Sequence, residues 1–264
     1  MLSAMYILGF LGMIILPIVL WVYFTRKLSL SWKLVLAGGL TFIASQIPHV
    51  PLVLGLNSFL KSQPLLVNAI VLGLLAGIFE ETARYILFKF VLKNARSWKE
   101  GVLVGLGHGG TEALILGVLA AVGFFTMLAY RSMDLSTLPS IPPEQVELAK
   151  QQVAAYWSAP IYTPLLGFAE RIFAICLHVS LSVMVLLAIA NRQPLWFWAA
   201  LFWHALVDAV AVYAVQQMGV LGVEAIIAVF AIISLAAVFA LRPLFPAAHA
   251  DGTDVQVVPV EKPV

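Results

Sequence analysis

Long apolar runs, separated by short breaks rich in charge, proline or asparagine, organise this chain. Crossing a hydrocarbon core of about 30 Å as a helix takes roughly 20 apolar residues, so each run of that length is a candidate span. Seven emerge, at approximately 5–24, 33–56, 65–90, 100–130, 160–190, 195–216 and 220–241. The fourth and fifth are long enough to tilt or to project from a bilayer. The sizeable polar interruption is 131–159, in which Pro142 and Pro143 mark the start of a short interfacial helix. From Pro243 the apolar pattern stops, and 243–264 reads as a disordered tail. The expectation is an all-α fold, a polytopic transmembrane helix bundle whose single domain covers 1–242.

Composition sharpens that picture. Of the 264 residues, 62% are hydrophobic and 11% charged, and the mean hydropathy of +1.00 belongs to a membrane protein and not to a soluble domain. The lone cysteine, Cys176, excludes an intrachain disulfide and a cysteine-rich metal site. A net charge of +2 gives no basis for a nucleic-acid partner. The cations inform through their positions. In a seven-span arrangement Arg26, Lys27, Lys33, Lys89, Lys93, Arg96, Lys99, Arg192, Arg242 and Lys262 share one side, and Lys61, Arg131 and Lys150 share the other. Because Lys and Arg are retained in the cytoplasm, the N-terminus is expected outside and the C-terminus inside. The run Tyr6 to Phe24 is long enough to span and has no small-residue cleavage site before Arg26, so it is expected to stay as the first span.

The spans are not wholly apolar. They carry Glu80, Glu81, Arg84, His108, Glu112, Glu170, Arg171, His178, His204 and Asp208. Each charge near the bilayer centre costs about 2.5–3.5 kcal/mol on insertion scales, so such groups normally face a bundle interior and carry function. Residues four apart share a helix face, and Glu80 with Arg84, His108 with Glu112, His204 with Asp208, and Glu170 with Ala174 and His178 all obey that spacing. Depth is a second test. At a rise of about 1.5 Å per residue, Glu80, His108, His178 and His204 lie about nine to twelve residues, or roughly 15 Å, from the cytoplasmic ends of four different spans. Glu112 and Asp208 sit one turn deeper.

Any one of these residues can be a helix staple worth about 1 kcal/mol, but a set at one depth points to a common site. Three neighbours read more plainly. His49, after Gln46 and before Pro51, suits a helix-end or interfacial role as well as a functional one; Glu224 lies near the outer end of its span and is expected to be solvated; Cys176 points away from the His178 face. Arg171 suits the neutralisation of a buried acid, and Trp32, Trp98, Trp157, Trp196 and Trp198 read as interface anchors.

Catalytic zinc takes three protein ligands from His and carboxylates and leaves a position for water. His108, His178, His204 and Asp208 could supply three. The pair Glu80–Glu81 offers a general base, Arg84 a partner for the second carboxylate, and His178, where it is not a ligand, a donor to an oxyanion. The reaction this permits is hydrolysis of a peptide bond in or beside the membrane. Gly105, Gly107, Gly109 and Gly110 around His108 suit a crowded helix crossing, with Glu112 supporting that histidine from the next turn.

These residues also resemble a known family. The stretch "FEETARYILFKF" (79–90) is similar to the first acidic motif of the CPBP and PrsW group of intramembrane proteases, which includes the CAAX prenyl proteases. "GHGGTEA" (107–113), "ERIFAICLH" (170–178) and "WHALVDA" (203–209) resemble the later motifs of its YhfC branch, and "SQIPHVP" (45–51) the second span of that branch. The resemblance implies an intramembrane metalloprotease of a bacterial plasma membrane. It implies a divalent metal, zinc by preference, and a membrane protein or peptide substrate. Glu80 and Glu81 then belong to the catalytic acid motif and His108, His204 and Asp208 to the metal or transition-state motifs, with Glu112, Glu170 and Arg171 in support. The rival functions are a proton- or cation-coupled transporter using Glu80, Glu112 and Asp208, and a non-catalytic binding or immunity protein on the same scaffold.

Overall fold

The computed structural model describes residues 1–246, in which the regular structure is helical. The helices are α1 (Leu2–Leu28), α2 (Trp32–Ser62), α3 (Leu65–Ile86), α4 (Trp98–Arg131), α5 (Val146–Trp157), α6 (Thr163–Ala190) and α7 (Leu195–Ala240). All but α5 are long and apolar enough to cross a membrane. Local chemistry sets their starts: the Ser31 hydroxyl caps α2, and Ser97 with Glu100 forms a reciprocal capping box on α4. A turn of π-helix, Leu87–Val91, continues α3 beyond Arg84.

The sixth and seventh apolar runs form one element. α7 is broken at Gly219, whose φ of 70° and ψ of 179° are not helical. Its two arms fold back on each other. Trp203 Nε1 donates to Ser234 Oγ at 2.9 Å across 31 residues, and Trp203 meets Phe230 edge to face at 5.3 Å. A straight helix would hold such partners roughly 45 Å apart. The break expected between 216 and 220 is therefore a hairpin corner.

α4 lies at the centre, packed against α1, α2 and α6, while α7 packs against α3 and α6. Its glycines make this possible by facing different neighbours. A Cβ at Gly107 would sit 2.1 Å from the Val35 carbonyl oxygen of α2, and one at Gly105 2.5 Å from Val179 Cα of α6. Backbones approach closely there because no side chain intervenes.

The polar interruption forms α5 after a 3-10 turn at Pro143–Gln145, and Trp157 Nε1 ties it to the Met127 carbonyl at 3.1 Å. Trp98 does more than anchor an interface, since its Nε1 donates to the Val238 carbonyl at 2.6 Å and joins α4 to the end of α7. Of the expected tail, Arg242–Leu244 forms a 3-10 turn held by Asn191 Nδ2 at 2.9 Å from the Leu244 carbonyl; residues 247–264 lie outside the described residues.

Gly219 adopts a backbone conformation that is essentially reserved for glycine, and nothing lies within 4 Å of where its Cβ would be. Gly219→Ala should therefore cost about 1–3 kcal/mol through backbone strain alone. Thermal unfolding of the purified protein in detergent checks this, with a lowered midpoint expected and an unchanged one counting against a strained corner.

Candidate metal centre

Four helices bring their ionisable residues to one point. α3 carries Glu80, Glu81 and Arg84, α4 carries His108 and Glu112, α6 carries Arg171 and His178, and α7 carries His204 and Asp208. The Glu80 carboxylate is the hub. Its Oε2 lies 3.0 Å from His108 Nε2, 3.9 Å from His204 Nε2 and 4.0 Å from His178 Nδ1. Single donor atoms of Glu80, His178 and His204 all fall within 4.8 Å of one another. Ligands of a four-coordinate ion on bonds of about 2.0–2.2 Å stand roughly 3–4 Å apart, so this spacing is close to what a metal requires.

Glu81, about 100° around the helix from Glu80, faces elsewhere. Both of its oxygens accept from Arg84 Nη1 at 2.5 Å, and Oε1 also accepts from His204 Nδ1 at 2.8 Å. Neither Glu81 nor Arg84 has any exposed side-chain surface. A carboxylate only accepts, so the neutral His204 ring carries its proton on Nδ1 and turns the Nε2 lone pair toward Glu80. His178 is held from the other end. Its Nε2 donates to Glu112 Oε2 at 2.7 Å, leaving Nδ1 to accept from Arg84 Nη2 at 3.2 Å. Glu112 is held in turn by Arg171 Nη1 at 2.5 Å, and Arg171 also pairs with Glu170.

The donor set fits a divalent ion once His178 Nδ1 gives up its hydrogen bond from Arg84 Nη2 to bind it. Two imidazoles and a carboxylate converge, and the outer nitrogen of each imidazole is fixed by a second carboxylate, Glu81 for His204 and Glu112 for His178. Such outer hydrogen bonds set the tautomer and raise the basicity of metal-binding histidines. A cavity of about 100 Å³ borders the set and is lined by Glu80, Glu112, His178, His204 and Asp208, enough for a few water molecules. Asp208 has the open position there: its Oδ2 lies 3.6 Å from His204 Nε2, and its side chain is 38% exposed against 8% for Glu80.

Several partnerships differ from those the spacing suggests. Arg84 shares a face with Glu80 by spacing, yet it pairs with Glu81, three residues back, as the partner of the second carboxylate that the sequence reading made it. Glu112 supports His178 and not His108, because α6 brings the His178 ring against that of His108, with centroids 4.9 Å apart. In this tautomer His178 has no N–H free to meet an oxyanion. Glu170 touches the network only through Arg171. Glu224, expected to be solvated, is 8% exposed, because the fold-back at Gly219 packs the neighbouring Val223 and Ile227 against Ala214 and Phe173. Cys176 is a free, half-buried thiol.

Gln46 and His49 join the hydrogen bonds around Glu80, which bears on the functional alternative left open for His49. Gln46 Nε2 donates to Glu80 Oε1 at 3.0 Å, and its own Oε1 accepts from His49 Nδ1 at 3.2 Å. The legible signal was a Gln–His pair three apart within a span. His108 is fully buried, and its Nδ1 has no partner.

The YhfC intramembrane metalloprotease family matches residues 12–231. The chain belongs to this family. Over 219 residues it is 34% identical to the uncharacterized membrane protein YhfC of Bacillus subtilis (strain 168), covering 78% of this chain and 82% of that protein. No solved structure matches the chain. Family membership and the six apolar helices of spanning length make it an integral membrane protein.

Removing one partner of a buried ion pair leaves an uncompensated charge and costs about 3–5 kcal/mol. Arg84→Ala should lose that much stability in detergent unfolding, whereas the double variant Glu81→Gln with Arg84→Met should recover much of it. Equal losses in the two would mean that charge compensation is not what Arg84 supplies.

Proposed function

We propose that this chain is a metal-dependent endopeptidase that hydrolyses a peptide bond within or beside the membrane. The observation that carries the reading is the pairing of a Glu–His–His donor set with carboxylates on the outer nitrogens of both histidines. The family description supports it. The same reading includes kinship with the CPBP and PrsW proteases and a place in a bacterial plasma membrane. It also includes seven crossings, counting the arms of α7 separately, with the N-terminus outside and the C-terminus in the cytoplasm. That orientation rests on the distribution of Lys and Arg.

Glu80, His178 and His204 would hold the ion, zinc being the best match to this donor set. A divalent ion there would supply an activated water at neutral pH and polarise the scissile carbonyl. His108 orients the Glu80 carboxylate by its hydrogen bond to Oε2, and Gln46 does the same at Oε1. Glu81 is engaged on both oxygens and offers no free face to water, so its role is to orient His204. Of the carboxylates with an open face on the cavity, Asp208 is the one beside the donor set, 3.6 Å from His204 Nε2. It serves as the general base, taking a proton from the attacking water and returning it to the leaving amine as the C–N bond breaks. Compared with the sequence reading, Glu80 and Asp208 thus exchange the roles of base and ligand, and His178 replaces His108 as a ligand.

Metal content measured by mass spectrometry after purification without chelators tests the reading. Near-stoichiometric zinc is expected in the wild type and none in His204→Ala. Glu81→Gln, which weakens the hold on His204, should reduce metal affinity by about 10–100-fold. Asp208→Asn should keep its metal and lose turnover. Absence of metal from the wild type would overturn the metallopeptidase reading.

A further inference from the structure

An open groove of about 620 Å³ runs between α2 and α3 on the outer face of the bundle. Leu40, Thr41, Ala44, Pro48, Ile78 and Thr82 are among the residues that line it. Leu40 is 66% and Ile78 44% exposed, so the groove faces the hydrocarbon of the bilayer and not the helix core.

Two features separate it from an ordinary crevice between lipid-facing helices. The first is its backbone. Pro48 and Pro51 lie inside α2, and neither can donate to the carbonyl one turn earlier, so those of Ala44 and Ile47 lack their helical donors. A carbonyl without a donor is costly in hydrocarbon, and that of Ala44 belongs to a residue on the groove wall. The second is its connection to the centre. Ser45, on the same wall, accepts from Gln46 Nε2 at 3.2 Å, and that nitrogen also donates to Glu80 Oε1 at 3.0 Å. One side-chain amide separates the groove from the candidate metal centre.

Resting on the peptidase reading above, we propose that the groove between α2 and α3 is the docking site for the substrate's own membrane segment, held in a locally unwound form. Lipid tails carry no donors and cannot answer the open carbonyls. An apolar peptide stretch with broken helical hydrogen bonds has spare N–H groups that can, as in recognition by strand addition. An intact helix also shields its peptide bonds from attack, so a site that binds unwound backbone beside Glu80 serves hydrolysis directly. Gln46 then acts as the gate: movement of its amide away from Glu80 opens the way from groove to centre.

The full chain is reconstituted in phosphatidylcholine–phosphatidylglycerol vesicles, with benzoylphenylalanine replacing Leu40 in the groove or Leu54 on the lipid-facing outer part of α2. The probe is a synthetic single-span peptide of leucine and alanine with a central Gly–Pro pair to loosen its helix. Irradiation should give peptide adducts at position 40 in roughly tenfold excess over position 54. The excess should persist with Asp208→Asn, which removes the proposed base and leaves both the groove and the Gln46–Glu80 contact in place. It should fall with Thr82→Trp, which fills the groove from an exposed position, and with Pro48→Ala, which returns a donor to the Ala44 carbonyl. Adducts with phospholipid alone at position 40, or equal peptide adducts at both positions, would overturn the proposal and make the groove a seat for lipid tails. This readout needs no turnover. Loss of the excess with zinc still bound would remove the docking site and leave the peptidase standing, whereas a metal-free chain that still gives the excess would do the reverse.

Discussion

Arg84 has no exposed side-chain surface, and its charge is held inside an apolar bundle by the two oxygens of Glu81. Much of the centre depends on this pair. A lone guanidinium or carboxylate at that depth would be expelled or neutralised, since burying an unpaired charge is costly. Once paired, the two groups are positioned to act on others: Glu81 fixes the tautomer of His204, and Arg84 donates to His178 Nδ1. A single ion pair on α3 therefore touches imidazoles from two other helices: it turns His204 Nε2 toward Glu80 and holds His178 Nδ1 on Arg84.

The packing of the helices serves the same constraint. Histidines on α4, α6 and α7 can meet a carboxylate on α3 only if the backbones come close, and the glycines of α4 remove the side chains that would hold α2 and α6 away. Trp21 uses that space as well, reaching past Gly110 to donate to the Leu106 carbonyl at 2.7 Å. Accessibility is graded across the resulting network. His108, Glu81 and Arg84 are sealed, Glu80 is nearly so, and Asp208 and Glu170 reach open space. The proposed hydrolysis would use such a gradient, with a dry set of oriented donors next to a wet edge that water can reach.

The corner at Gly219 links fold to site in a second way. By returning the end of α7 along its own first arm, it covers the outer side of the cavity with Ile227, Phe230 and Ala231. It also turns Glu224 inward, a burial that no local pattern announces because it follows from contacts made 31 residues apart elsewhere on the same hairpin.

The sequence alone determined the apolar runs, the shared depth of Glu80, His108, His178 and His204, and the stripes that put His204 with Asp208 on one face. These follow from the thickness of hydrocarbon and the pitch of a helix, which are the same in any bundle. Tertiary structure decided which nitrogen meets which oxygen. Neighbours such as Glu80 and Glu81 differ by about 100° around a helix, and only the packing of α4, α6 and α7 against α3 selects which one faces the cluster. For the same reason Glu112 went to His178 and Gln46 joined Glu80: hydrogen-bond partners are fixed by distances of about 3 Å between helices, a scale that spacing along one helix does not report.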